Sequence, residues 1–313
     1  MPVGPPYVAR LELPTGRGLV MDNNASPLML RRRLRTELRT ARLNSSLTQD
    51  QVAKAMEWSI SKMNRIEKAK SGVSINDLRA LLSLYGVTDK GQNEELLELA
   101  RAVARAKGGR HDQWWRRYSE VAPARLLELL DYESEASSVS QFETIFSPGI
   151  LQTEEYASAV LKVFFDEKSS AERVAALVHL RTRRRDLLTS QDAPKFSFLL
   201  DESVIRRMVG GAPIMRRQLR HLAGAAELPN VTLRVVPFTA GLHSGMKQPF
   251  ELIEFADTPD ENIVFLESPR GDFISDDPKE AQNYHMAFQH ITEESLSTTA
   301  SAGLLRKVAD DKT

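Results

Sequence analysis

Apolar residues recur at helical spacing through the first third of the chain. Leu30, Leu34, Leu38 and Ala41 fall at i, i+4, i+8 and i+11, which predicts a helix over 29–43 closed by Asn44-Ser45-Ser46. Thr48 with Gln51 three residues on is a capping-box signature, and it opens a short helix over 48–56 with Val52, Ala53 and Met56 inward. Glu57-Trp58 makes a turn. Ser59 caps a third helix over 59–67, with Met63 and Ile66 inward. Ser74 and Asp77 read as a second capping box for a helix that places Ile75, Leu78, Leu81, Leu82 and Tyr85 on one face and stops at Gly86. A fifth helix covers 90–106.

Beyond Gly108-Gly109 the period changes. Helices are predicted over 124–135, 153–165, 171–188, 202–208, 214–227, 278–292 and 298–308. They are interleaved with strands over 139–146, 196–200, 231–236, 250–255 and 263–267. Residues 1–27, with five prolines and three glycines, read as a disordered arm. The chain is therefore expected to be α+β. A five-helix domain over 28–107 precedes a mixed α/β domain over 108–313, whose sheet is mixed or antiparallel with helices on one side.

Length agrees, since 313 residues make about two domains. Cysteine is absent, which excludes disulfides, thiolate metal sites and a cysteine nucleophile. No run of about 18 apolar residues is present, and the start of the chain lacks the apolar core of a secretory signal. These features predict a cytoplasmic protein. The formal net charge is zero but unevenly spread. Residues 28–107 hold 16 basic and 9 acidic side chains, whereas 108–313 hold 24 and 31. A basic first third joined to an acidic remainder points to a nucleic-acid-facing module attached to something else.

The second and third helices, with the short turn between them, form a helix-turn-helix. Such a motif needs a third helix with one face packed and the other exposed to the major groove. Ile60, Ser61, Asn64 and Arg65 lie opposite Met63 and Ile66. Ser61 and Arg65 are i, i+4 neighbours, so both reach base edges together, and Arg65 suits a bidentate pair with guanine. Ile60 suits a thymine methyl. Thr48 and Gln49 stand at a helix start that favours a phosphate, and Lys62 and Lys68 add charge for the backbone. The candidate DNA-contacting set is Thr48, Gln49, Ser59, Ile60, Ser61, Lys62, Asn64, Arg65 and Lys68.

Other features carry less chemistry. Six arginines on the first helix (Arg31, Arg32, Arg33, Arg35, Arg39 and Arg42) could form a solvated face without DNA. Trp114 and Trp115 read as packing, although a base could stack on them. Arg181, Arg183, Arg184 and Arg185 read as a solvated helix face, with a phosphate-bearing ligand or DNA backbone as the alternative. His111, His179, His221, His243, His285 and His290 show no ligand spacing, so no metal and no cofactor are expected. His243-Ser244-Gly245 is not a nucleophile elbow. No enzyme is expected.

Two resemblances follow from these residues. Leu38-Arg39-Thr40-Ala41-Arg42, Leu47-Thr48-Gln49 and the stretch from Ser59 to Glu67 resemble the XRE (phage Cro/C1-repressor-like) helix-turn-helix family, with a lambda-repressor-like fold. The resemblance implies a buried ion pair between Arg42 and Glu67, a phosphate contact for Gln49, and base reading by Ser61 and Arg65. Two positions depart from the family pattern: Glu57 and Ala69 stand where glycine is common, and Ser71-Gly72 could absorb the second turn. A non-glycine residue in the left-handed region costs about 1 kcal/mol.

The remainder of the chain also resembles a known group. It does so through Trp115, Tyr118, the stretch from Phe146 to Ala157, Leu200-Asp201-Glu202, Arg206, Val209-Gly210-Gly211, Gln218-Leu219, Pro229-Asn230-Val231-Thr232, Pro237-Phe238 and Gly241. These resemble an actinobacterial, Streptomyces-type regulator group, which joins an XRE domain to a C-terminal domain of poorly defined function. That group is often called antitoxin-like because a small acidic partner protein is encoded beside many members.

Three readings of function stand at this point. The first is a dimeric transcription regulator, nucleoid-associated, reading a palindromic operator in double-stranded DNA with helix 59–67 in the major groove. The second is an antitoxin-like protein whose C-terminal domain binds a small protein and whose DNA binding is autoregulatory. The third is a regulator that senses a small molecule.

Overall fold

The computed structural model describes residues 27–67, 72–105, 113–164, 171–256, 261–268 and 271–311. The chain divides into two compact units, Met1–His111 and Asp112–Thr313. The predicted arm over 1–27 lies outside the described residues except for Pro27.

The first unit is helical: α1 (Pro27–Asn44), α2 (Gln49–Ala55), α3 (Ile60–Glu67), α4 (Ile75–Leu84) and α5 (Lys90–Arg105). One core holds it together. Leu34, Leu38 and Ala41 of α1 meet Val52 and Ala53 of α2, Met63 and Ile66 of α3, Leu78, Leu81 and Leu82 of α4, and Leu96 and Leu99 of α5. Each fully buried aliphatic side chain contributes about 1.5–3 kcal/mol, which fixes the angles between the short helices.

Local chemistry sets the helix ends. Thr48 Oγ1 accepts the Gln51 amide at 3.2 Å, and the Thr48 amide donates to Gln51 Oε1 at 2.9 Å, so the capping box closes in both directions. The box expected at Ser74 closes in one direction. Its hydroxyl accepts the Asp77 amide at 3.0 Å, but the Asp77 carboxylate turns to Lys62 Nζ at 3.3 Å. Gly86 ends α4 with a φ of 71°. Two of the six arginines on α1, Arg32 and Arg42, are buried, so that helix does not present all six to solvent.

The second unit is built on a six-stranded mixed sheet of order β3-β2-β1-β4-β5-β6. The strands are β1 (Ser138–Glu143), β2 (Lys195–Asp201), β3 (Val231–Val236), β4 (Phe250–Glu254), β5 (Ile263–Leu266) and β6 (Phe273–Ser275). β1, β2 and β3 run parallel, whereas β4, β5 and β6 add antiparallel. The helices are α6 (Ala124–Glu133), α7 (Glu154–Phe164), α8 (Ala171–Arg184), α9 (Glu202–Arg206), α10 (Ala212–Ala225), α11 (Pro278–Glu294) and α12 (Thr298–Asp310).

Both faces of the sheet are covered, not one as the pattern predicted. Val139, Phe196, Phe198, Leu200, Leu233 and Val235 pack with residues of α7, α9, α10 and α12. The alternate positions Phe142, Leu199, Phe250, Leu252 and Val264 pack with Ala281 and Ile291 of α11. The reason lies in the strands: β2 and β5 are near-continuous apolar runs, and β4 buries residues on both faces, Glu251 included. Two further boundaries differ from expectation. Strand 139–146 ends at Glu143, and helix 171–188 becomes a three-ten turn, Arg185–Thr189.

β3 is an edge strand with its outer rim occupied. The Val235 amide donates to Ser301 Oγ at 2.9 Å, and its carbonyl accepts the Leu296 amide at 2.8 Å. Arg234 Nε adds a bond to the Leu296 carbonyl at 2.8 Å.

Candidate nucleic-acid interface

Helix α3 is short, and its burial is one-sided. Met63, Ile66 and Glu67 are buried, whereas Ile60, Ser61 and Arg65 are exposed and Asn64 is half-buried. Ser59 Oγ accepts the Lys62 amide at 3.1 Å and starts the helix. The outward face is therefore a polar strip with one aliphatic side chain, the chemistry that base edges and a thymine methyl require.

What holds this strip is a buried polar junction. Arg42 on α1 donates to both carboxylate oxygens of Glu67, from Nη2 at 3.1 Å and from Nε. Its Nη1 reaches the Leu47 carbonyl at 2.7 Å. Gln49 Nε2 donates to the same Glu67 carboxylate. The first residue of α2 is thus tied to the last residue of α3, and both to α1. Nearby, burial first and then the Glu67 carboxylate push the Tyr85 phenol well above its ordinary range, so it stays protonated.

The candidate residues divide by what they already touch. Ser61, Arg65 and Ile60 share the exposed side of α3, and among the described residues no partner competes for them. Gln49 has one amide hydrogen committed to Glu67, which leaves its second N–H and its carbonyl for other contacts. Lys62 is more heavily engaged, because its ammonium sits 3.8 Å from the Trp58 ring centroid and also pairs with Asp77. Trp58 and Asp77 were not among the expected site residues, although the i, i+4 spacing of Trp58 and Lys62 is visible in the sequence. Lys68, Ala69 and Ser71 lie outside the described residues. Glu57 takes the left-handed conformation, with φ 54° at the turn where glycine is common.

Family comparison agrees with this architecture. A model of a helix-turn-helix domain matches residues 33–96, and a model of a domain of unknown function, DUF5753, matches residues 126–307. The chain belongs to the DUF5753 family. No curated protein and no solved structure matches it.

Several phrases of the DUF5753 domain that stand out in sequence have structural work. Gln218 is fully buried; its Oε1 accepts the Thr153 amide and its Nε2 donates to the Leu151 carbonyl, each at 2.7 Å. Asn230 Nδ2 donates to the Leu188 and Pro194 carbonyls at 3.1 Å. Glu202 accepts both the Phe238 amide at 2.9 Å and Arg206. Trp115 belongs to the core between α6, α7 and α8, and its Nε1 donates to Asp131 at 2.8 Å.

The DUF5753 domain also buries a charge cluster that the sequence did not reveal. Glu143 and Glu251 lie on the same sheet face as Val139 and Gln141. Arg184 pairs with Glu133 and lies 3.5 Å from Glu251. Burial, then Glu267, pushes the Glu143 carboxyl well up, and burial, then Glu133, does the same to Glu251.

Proposed function

We propose that this chain is a sequence-specific transcription regulator of XRE type that binds double-stranded DNA as a homodimer. In this reading α3 enters the major groove, Ser61 and Arg65 read base edges, and Thr48 and Gln49 meet phosphate. One helix-turn-helix reads a half-site, so two copies on a palindrome spaced by about one helical turn give a full site. The reading assigns no catalysis to the chain. The observation that carries it is the exposed Ile60–Ser61–Arg65 strip on a helix whose opposite face is locked to α1 and α2 through Glu67. No helix among the described residues is long and apolar enough to cross a membrane.

The test is fluorescence anisotropy of the full chain on DNA from its own upstream region and on a scrambled control, at two salt concentrations. Wild type should prefer its own region. Ser61→Ala/Arg65→Ala should lose that preference and keep weak, salt-sensitive binding, since phosphate contacts are sequence-independent. Equal binding of wild type to both DNAs would overturn the reading.

A second, partner-binding reading has one observation in its favour. Ile145, Phe238, Leu242 and Met246 are exposed large apolar side chains that follow the carboxyl ends of the parallel strands β1 and β3. Copurification with the product of a neighbouring small reading frame is its test.

A further inference from the structure

The DUF5753 domain carries a cleft of about 890 Å³, formed where the end of α8 and the Arg185–Thr189 turn face α10. That volume lies within the range of small-molecule sites. Its charge is one-sided. Arg183, Arg185 and Arg220 line it beside the imidazole of His221, and Asp186 is the single acidic residue among its lining. Leu188, Ala225 and Leu228 supply an apolar wall.

Two of these side chains have a buried nitrogen without a partner among the described residues. Arg185 Nη2 donates to the Gln152 carbonyl at 3.2 Å, which anchors the guanidinium, while its Nε is buried and meets no acceptor among the described residues. The Nε2 of His221 is likewise buried and unpartnered. Burial, then the Arg185 charge, holds the His221 pKa below its ordinary value. Two neighbouring nitrogen groups short of a partner, in a concave site with net positive charge, form an arrangement that an anion completes. The other two arginines are steadied from outside. Arg183 lies 4.6 Å from the Trp114 ring centroid, and Arg220 pairs with Asp310 at 3.3 Å on the exposed rim. Each guanidinium has five donors, so these contacts leave donors for a ligand.

The ligand class follows from the count of donors and from the wall. A carboxylate would answer one arginine. A phosphate monoester, with a charge of about −1.5 to −2 and three acceptor oxygens, answers several at once against the opposing Asp186. We infer that this cleft binds a small phosphorylated molecule, with its phosphate held by Arg185, Arg220 and His221 and an apolar body against Leu188, Ala225 and Leu228. This assignment is independent of how α3 reads DNA.

The experiment is calorimetric titration of the full chain with 1-naphthyl phosphate, inorganic phosphate and 1-naphthol. Naphthyl phosphate should saturate one site at least about tenfold more tightly than inorganic phosphate, and naphthol should give no saturable heat. His221→Gln and Arg220→Gln should each weaken naphthyl phosphate by about tenfold, and Asp186→Asn should tighten it. Arg220 is on the exposed rim, so its variant keeps the test open if a more buried substitution harms folding. In an NMR titration, saturation with naphthyl phosphate should raise the His221 pKa. Naphthyl phosphate binding that is absent, or equal in wild type and both weakened variants, or matched by naphthol, would overturn the assignment.

Discussion

Arg42 and Glu67, on the first and third helices, meet as a two-pronged buried pair, and Gln49 closes the same carboxylate from the second helix. Three helices that already share an apolar core are thereby also keyed at one polar point. Removing one member leaves the other charged and buried, which costs about 3–5 kcal/mol. Glu67→Gln or Arg42→Met should therefore lower the melting of the N-terminal unit sharply in scanning calorimetry of the full chain. The apolar pair Arg42→Met/Glu67→Leu should recover part of the loss. Equal melting of the double variant and the worse single variant would show that packing, not charge, dominates.

Lys62 should matter less to DNA than its position implies. Its ammonium lies on the Trp58 ring and pairs with Asp77. A free lysine on a phosphate changes the salt slope of binding by about one. Lys62→Ala should change it by clearly less, and Asp77→Asn should increase binding by releasing the ammonium. Anisotropy across a salt series reads both effects.

Glu57 holds a left-handed backbone that costs a side-chain-bearing residue about 1–2 kcal/mol, partly offset in glycine by greater unfolded-state entropy. Glu57→Gly should stabilise the N-terminal unit by about 0.5–1 kcal/mol. Glu57→Val should destabilise it. Denaturant midpoints decide the sign.

The buried carboxyls of the DUF5753 domain make a pH prediction. Glu143 and Glu251 titrate higher when folded than when unfolded, because burial disfavours their charged forms. Their contribution to stability is complete below the unfolded carboxyl value of about 4.3 and is lost as pH rises through the folded values. Glu143→Gln stays neutral throughout. The fall in its denaturation midpoint between about pH 5 and about pH 8 should be smaller than that of wild type. An unchanged fall would remove Glu143 from the account.

Gly245 is a packing constraint. A Cβ there would run into the Phe142 ring and come within 2.8 Å of Ile291 Cδ1. Gly245→Ala should cost about 1–3 kcal/mol through overpacking between β1 and α11. Gly211→Ala, where open space surrounds the added carbon, should show the strain of its φ of 89° without any clash.

How much was legible follows the length of each signal. The periodicity of Leu34, Leu38 and Ala41, and the capping at Thr48 and Ser59, needed a window of a few residues, and the helices stand where those windows put them. β6 was missed because Phe273–Ser275 is three residues long, with alternation too brief to register. The second covered sheet face was missed for another reason. Glu251 breaks the apolar positions of Phe250, Leu252 and Ile253 and reads as an outward-facing charge, although it is buried in the fold. Within the candidate site, Ser61 and Arg65 were readable from their i, i+4 spacing. The Lys62–Asp77 pair joins separate helices, and no local pattern encodes it. The same holds for Arg185 and His221. The arginine run was evident in the sequence, but only the fold sets it across from α10.

The bonds that seal the rim of β3 come from Leu296 and Ser301, which follow every strand of the sheet in chain order. A nascent chain therefore finishes its helix-turn-helix long before its sheet is guarded. A product that stops short of Leu296 keeps the helices of its first unit but has a bare strand edge that invites pairing with other chains.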